Sequence, residues 1–181
     1  MDSEQLKLLI DKCKAGQAGA FDQLIALYAD RCFGFFYRLS GHRQTAEYLL
    51  SELFIKLVEK IGSWDGGSFD NWIFTIAGNL FKDSLRADYR RKRLLQEKAE
   101  QLQTQEESEP RNDLEDKLHR ALKRLEPEIA ELIMMRFYAD FSFKELAKMR
   151  NEPIGTTLCK MHRGLKKLRE MMEVPEKQRP I

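Results

Sequence analysis

Apolar residues recur every three or four positions along most of this chain, which is the spacing of amphipathic helices. One apolar stripe covers residues 21–39, a second covers 46–57 and a third covers 69–81. With a short leading helix around residues 6–14, these stripes predict a bundle of about four helices. The periodicity therefore predicts an all-α fold.

The helical period is lost over residues 94–113, where Gln, Glu and Ser replace the apolar residues. Such segments bury too little apolar surface to fold on their own. We expect an acidic linker there, between a helical bundle over residues 1–93 and a second domain over 114–175, with a tail over 176–181. The chain is thus predicted to form two small helical domains joined by a linker.

The second domain contains a pattern that is typical of a helix-turn-helix. Ser142 and Glu145 form a capping box before a short helix, Asn151 tolerates the left-handed turn that ends it, and Pro153 precedes a longer helix. The order of short helix, tight turn and longer helix is that of a DNA-binding motif.

Two basic clusters favour nucleic acid as a partner, although the formal net charge is only +2. On the last helix, Lys160, Arg163 and Lys167 share one face, which suits phosphate contacts and entry into the major groove. A run of charges is more often a solvated face, so this interpretation depends on its coincidence with the helix-turn-helix.

The second cluster ends the first domain and includes Arg86, Arg90 and Arg91. It follows an aromatic-rich segment, and aromatic rings near cations suit single-stranded DNA. Core packing is the alternative role for Trp72, which fits the helical stripe. Trp64, on the glycine-rich loop, is the better candidate for a base contact.

Other functional classes have little support in the sequence. Cys13, Cys32 and Cys159 are odd in number and form no CxxC pair, which favours reduced thiols over disulfides or a zinc site. The acidic N-terminus and the lack of a long apolar run predict a cytoplasmic protein with no direct membrane insertion. No phosphate-binding loop or HExxH motif is present, so we expect neither an enzyme nor a cofactor.

Two segments resemble a known family. Residues 45–93 are similar to conserved region two of the extracytoplasmic-function sigma factors of bacterial RNA polymerase. Residues 142–170 are similar to their region four, and the most specific part is Pro153-x-Gly155-Thr156 followed by His162-Arg163. Two regions in the family's order, with the family's gap between them, carry more weight than either one alone.

The resemblance implies a sigma factor, which directs core RNA polymerase to promoter DNA, and it implies an anti-sigma factor as a further partner. Together with the basic clusters it predicts three sets of site residues. Core-polymerase contacts are expected at Glu47, Tyr48, Ser51, Glu52 and Phe54. Contacts to the minus-ten element are expected at Trp64, Trp72, Asn79, Asp83, Arg86, Arg90 and Arg91. Contacts to the minus-thirty-five element are expected at Arg136, Pro153, Thr156, Leu158, Cys159, Lys160, His162, Arg163 and Lys167.

Four of these positions depart from the family pattern. Tyr48 and Ser51 replace the Asp and the Gln of the polymerase-binding helix, which leaves open a second hypothesis: a sigma-like helix-turn-helix regulator with weakened polymerase binding. Leu158 stands where Lys or Arg is common, and Cys159 where Ser is common. Leu158 lacks the donors for a bidentate contact to guanine but can pack on a thymine methyl.

Overall fold

The computed structural model describes residues 3–96 and 113–173, and every regular element in these two ranges is a helix. The first range holds α1 (Ser3–Lys14), α2 (Ala20–Ser40), α3 (Arg43–Lys60), a 3₁₀-helix (Ile61–Ser63) and α4 (Phe69–Gln96). The second range holds α5 (Asp113–Arg124), α6 (Pro127–Phe137), α7 (Phe143–Arg150) and α8 (Ile154–Glu173). The two sets form two compact units, which confirms the predicted all-α fold of two helical domains.

In the first unit, α2 and α3 form an αα-hairpin that supports the other helices. Gly41 adopts φ +81° and ends α2 with its N–H donating to the Tyr37 carbonyl at 2.9 Å, so α3 can begin two residues later. The core between α2, α3 and α4 is rich in aromatic residues, and Phe35 meets Phe74 edge-on at 5.3 Å. The helices of this unit are thereby held as one bundle.

The start of α4 is fixed by a side-chain cap and by an ion pair. Ser68 accepts a hydrogen bond from the Asn71 N–H at 3.2 Å and so caps the helix. In the first turn Asp70 pairs with Arg31 of α2, whose guanidinium also lies over the Phe74 ring at 5.3 Å. The face that α4 presents to solvent is therefore set by contacts at its first turn.

In the second unit, α8 packs against α5, α6 and α7. Pro127 occupies the first turn of α6, where a residue needs no N–H donor. Ser142 and Glu145 form the predicted capping box, with the Glu145 N–H donating to Ser142 Oγ at 3.2 Å and the Ser142 N–H donating to Glu145 Oε2 at 2.8 Å. Asn151 ends α7 in the left-handed conformation. The predicted helix-turn-helix is confirmed.

Two helix boundaries differ from the sequence prediction. α1 begins at Ser3 rather than near Leu6, and α4 continues to Gln96, beyond the end of its apolar stripe. Residues 90–96 include Arg, Lys, Leu and Gln, which have high helix propensity, so the helix outlasts the stripe. The predicted linker is described only at residues 94–96 and 113, which are helical, and the predicted tail lies outside the described residues.

Candidate nucleic-acid interface

The second helix of the helix-turn-helix presents most of its predicted contact residues to solvent. Along α8 and the residue before it, most residues up to position 170 are exposed, while Thr157, Met161, Gly164 and Leu168 are buried against the rest of the unit. The exposed members of the predicted set are Pro153, Thr156, Leu158, Cys159, His162, Arg163 and Lys167. Arg163 and Lys167 also line a groove of about 290 Å³ together with Glu126 and Glu128, which lie at the start of α6.

Lys160 does not behave as the sequence predicts. It was expected to extend the free basic face, but its ammonium is paired with Glu152 in the turn before α8 and is only partly exposed. Thr157 donates to the other Glu152 oxygen at 2.9 Å. Burial raises the pKa of Glu152, but the hydrogen bonds from Lys160 and Thr157 and the charge of Arg150 outweigh it and hold that pKa below its ordinary value. We therefore correct the interpretation of Lys160: its charge is neutralised within the motif.

Arg150 is the centre of a charged network that the sequence did not reveal. Its guanidinium lies 3.2 Å from a Glu128 carboxylate oxygen, 3.6 Å from one of Glu131 and 3.5 Å from one of Glu152. Glu131 is fully buried, so its charge needs a nearby cation. Arg150 thus links α6 to the turn before α8. The first two of these carboxylates are about twenty residues away in sequence, where no local pattern indicates the contact.

Arg136 is held at the end of α6 by aromatic and acidic neighbours. Its guanidinium lies over the rings of Phe137 and Phe143 at 5.8 and 5.5 Å and forms an ion pair with Asp140 at 3.3 Å. Phe137 itself is largely exposed. These contacts place the Arg136 side chain near the start of α7, on the helix-turn-helix side of the unit.

In the first unit, the predicted minus-ten residues of α4 form one exposed row. Asn79, Asp83, Arg86 and Arg90 follow the helical spacing and are exposed, as is Arg91. Asp83 and Arg86 form a surface ion pair at 3.2 Å, which is worth little in water and is easily exchanged for other partners. The structure thus brings Asn79, Asp83, Arg86 and Arg90 to one side of the helix, while Arg91 is exposed about a quarter turn away.

A groove of about 390 Å³ runs between α3 and this row, and it adds two cations that sequence reasoning missed. Lys56 and Lys60 of α3 line it opposite Asn79, Asp83 and Arg86. Their spacing of four residues puts them on one face of α3. This spacing is visible in the sequence, but the two lysines are separate from the basic clusters of α4 and α8. The groove is therefore more cationic than α4 alone would make it.

Trp64 is not the exposed loop residue that we expected. Its side chain is only 7% exposed, because its ring packs edge-on against Phe69 at 5.7 Å and lies under the Lys14 ammonium at 5.1 Å. Lys14 also donates to the Trp64 carbonyl at 3.0 Å. With its ring enclosed, Trp64 offers no face for a base to stack on, and we correct its role to core packing. Trp72 contacts the other side of Phe69 and remains partly exposed.

The face of α3 that points away from the core is apolar over several turns. Tyr48 is 62% exposed and Ile55 is 54% exposed, and Val58 continues the same row. Ser51 lies between them, with its hydroxyl donating to the Glu47 carbonyl at 3.0 Å. Glu52 and Phe54 are half-buried at its edge, while Glu47 is exposed and pairs with Arg43 at 2.9 Å. Exposed apolar rows of this kind mark interaction surfaces.

Similarity to known proteins agrees with this geometry. The family model Sigma-70 region 2 matches residues 24–91, and Sigma-70, region 4 matches residues 121–170. The chain is 30% identical over 168 residues to the RNA polymerase sigma factor CarQ of Myxococcus xanthus, covering 90% of this chain and 95% of CarQ. The chain belongs to the extracytoplasmic-function sigma factors. This sigma factor is also 30% identical over 179 residues to the ECF RNA polymerase sigma factor BldN of Streptomyces coelicolor, covering 94% of this chain and 67% of BldN.

A solved structure has the same fold. The sigma factor RpoE from Bartonella quintana, crystallised in complex with the anti-sigma factor NepR, matches this sigma factor with a TM-score of 0.68 and 26% identity, over 88% of this chain and all of that one. The protein is accordingly a sigma factor for promoter recognition by RNA polymerase, a non-enzymatic role. Among the helices that the structure describes, none is long and apolar enough to cross a membrane.

Proposed function

We propose that this sigma factor recognises the minus-thirty-five element with α8 and the minus-ten element with α4, and that it binds core polymerase through the exposed face of α3. The observation that carries this proposal is the exposed contact row on α8 within a capped helix-turn-helix. Recognition helices of this motif insert into the major groove, with their first turns at the base edges. Arg136, at the other end of the motif, contacts the DNA backbone.

At the minus-ten element, Asn79 and Arg86 of α4 contact the strand that is separated during melting. Lys56 and Lys60 follow its phosphates from the other wall of the groove. Positive grooves with aromatic platforms bind unpaired strands. Among the side chains of α4 that the structure describes, Trp72 is the partly exposed ring. Arg90 and Arg91 extend the phosphate contacts along the helix. Trp64 supports the loop from the core and makes no base contact.

At core polymerase, the apolar side chains of Tyr48 and Ile55 supply most of the contact on α3, with Ser51 and Glu52 as polar neighbours. Aromatic and aliphatic side chains that become fully buried at an interface carry most of its binding energy. This composition makes polymerase binding less sensitive to salt than a charged surface would be. Tyr48, which stands where the family has Asp, adds an exposed ring to this face, and this favours polymerase binding over the alternative of a DNA-binding regulator.

By analogy with the sigma factor that was crystallised with NepR, we propose that an anti-sigma factor binds this chain and competes with polymerase. The domain assignment remains residues 1–93 for region two, an acidic linker over 94–113 and residues 114–175 for region four. We further propose that the protein acts in the cytoplasm, where core polymerase and promoter DNA are found.

The test is binding to core polymerase, with two matched variants. Ile55→Asp puts a charge into the α3 face and should weaken binding at least tenfold, because a charge cannot be buried there without a partner. Leu8→Asp makes the same change at an exposed apolar residue of α1, and its affinity should stay that of the wild type. Circular dichroism verifies that both variants fold.

If the wild type and Ile55→Asp bind core polymerase with equal affinity, the proposed role of the α3 face in polymerase binding is refuted. A chain that binds duplex promoter DNA by itself but never binds core polymerase would support the alternative of a DNA-binding regulator. Arg163→Ala completes the set: it should keep polymerase affinity and lose transcription that depends on the upstream promoter element.

A further inference from the structure

The first two turns of α8 present a neutral, largely apolar surface. Ile154 is 49% exposed and Leu158 is 44% exposed, and they are four residues apart on one face of the helix. Cys159 is exposed beside Leu158. At Gly155, one position after Ile154, a Cβ would meet nothing within 4 Å, so the backbone there is open to close approach.

The cation that belongs to this stretch is turned away from it. Lys160 is the sole Lys or Arg between Ile154 and His162 in the sequence, and its ammonium is held by Glu152, which Thr157 also fixes. The exposed cations Arg163, Lys166, Lys167 and Arg169 all lie further along the helix. The helix therefore separates into an apolar N-terminal half and a cationic C-terminal half.

This separation matters because the two halves of a recognition helix meet different parts of DNA. The N-terminal residues contact base edges, whereas cations further along can reach phosphates. Guanine presents two acceptors in the major groove and is read by Arg or Lys, while thymine presents a methyl group that packs on apolar side chains. Ile154 or Leu158 over a G·C pair would remove water from groups that they cannot hydrogen-bond.

We propose that Ile154 and Leu158 read thymine methyl groups, so that the upstream promoter element of this sigma factor carries A·T pairs opposite the first two turns of α8. This inference rests on the proposed role of α8 in the minus-thirty-five contact. Arg163 and Lys167 supply the phosphate contacts that hold the helix in register. The Glu152–Lys160 pair keeps the one Lys between Ile154 and His162 from competing for guanine.

The first experiment is a selection with the holoenzyme, formed from full-length protein and core polymerase, on promoters randomised across the upstream element. Thymine should be enriched at two or more adjacent positions. Guanine at those positions on either strand would overturn the inference. If the holoenzyme enriches no sequence at all, the proposed function fails and this inference falls with it.

The second experiment replaces each enriched thymine by uracil, which removes only the methyl group. Each replacement should weaken holoenzyme binding about fourfold, from the transfer free energy of one buried methyl. In Leu158→Ala, the holoenzyme should bind thymine and uracil promoters with nearly equal affinity at one of the enriched positions. Its preference for thymine at the remaining positions should not change. Leu158→Arg should shift the preference at that position toward guanine.

Lys166→Ala is the matched control, because it removes an exposed α8 side chain from the cationic half. It should weaken binding to thymine and uracil promoters by the same factor. Leu158 is nearly half exposed, so its variants should fold, and thermal unfolding verifies this. Equal affinity of the wild-type holoenzyme for thymine and uracil promoters overturns the proposal, as does a Leu158→Ala variant with unchanged discrimination at every position.

Discussion

Gly164 packs directly against Ile129 and Ile133 of α6, and the change Gly164→Ala tests how tightly the recognition helix is held. A Cβ at this residue would stand 2.4 Å from Ile129 Cγ2 and 3.3 Å from Ile133 Cδ1. Ile129 cannot rotate away easily, because a β-branched side chain has one strongly preferred rotamer in a helix. Either α6 or α8 must shift to admit the added methyl group.

The magnitude follows from two opposing terms. Ala in place of Gly within a helix gains about 1 kcal/mol from helix propensity, whereas overpacking costs about 1–3 kcal/mol. With a contact this short at a rigid neighbour, we expect the upper part of that range and a net loss of about 1–2 kcal/mol. For a unit of this size the loss corresponds to a melting temperature lower by roughly 5–15 °C.

Hydrogen exchange measured on α6 and α8 peptides at increasing urea reports this loss in the second unit. Both tryptophans of the chain, Trp64 and Trp72, lie in the first unit, so their fluorescence transition should stay unchanged as an internal control. Gly155→Ala is the matched variant on the same helix, since its Cβ would meet open space, and it should be neutral or slightly stabilising. If Gly164→Ala is as stable as Gly155→Ala, the close α6–α8 contact is refuted.

Three further predictions concern thiols, pH and the Arg150 network. Cys159 is exposed, whereas Cys13 and Cys32 are buried, and burial raises the pKa of Cys32 to about 12. At pH 8 a thiol reagent should therefore modify Cys159 quickly and the two buried cysteines only after denaturation. Rapid modification of all three cysteines in the folded protein would contradict this. The pKa of Glu152 is lower in the folded state than in the unfolded chain. The contribution of Glu152 to stability is therefore complete above its pKa in the unfolded chain, and it is lost as the pH falls through its pKa in the folded state. Urea titrations below about pH 5 should therefore show the wild type losing stability faster than Glu152→Gln, and parallel curves would disprove the contribution. Arg150→Met removes the cation beside buried Glu131 and should cost about 3–5 kcal/mol in the free energy of unfolding, whereas a loss under about 1 kcal/mol would show that the network contributes little.

The features that the sequence predicted well are those with local causes. The capping box at Ser142 and Glu145 and the left-handed turn at Asn151 each depend on residues within one turn, so a short segment contains all the required information. The apolar stripes predicted the helices for the same reason. The exposed rows on α4 and α8 also followed, because a helix that buries one face must expose the other.

The two corrected predictions have causes that lie elsewhere in the chain or in the direction of a side chain. Trp64 sits on a loop that is rich in glycine, and nothing local indicates that its ring turns inward beneath Lys14, a residue fifty positions earlier. Lys160 has the correct helical spacing for the basic face, but its charge is paired with Glu152, which lies in the turn before α8. Sequence periodicity predicts which face a residue occupies, and it does not predict which residue from another element meets it there.

The central claim is that this chain directs RNA polymerase to promoters that it selects with both of its domains. Purified full-length protein, mixed with core polymerase and a library of promoter fragments, tests it most directly when the 5′ ends of the transcripts are sequenced. We predict defined start sites downstream of two conserved elements, one of which is lost in Arg163→Ala and the other in a variant with Asn79 and Arg86 changed to Ala. Transcripts that start at random, or the same starts with and without the protein, would contradict the account.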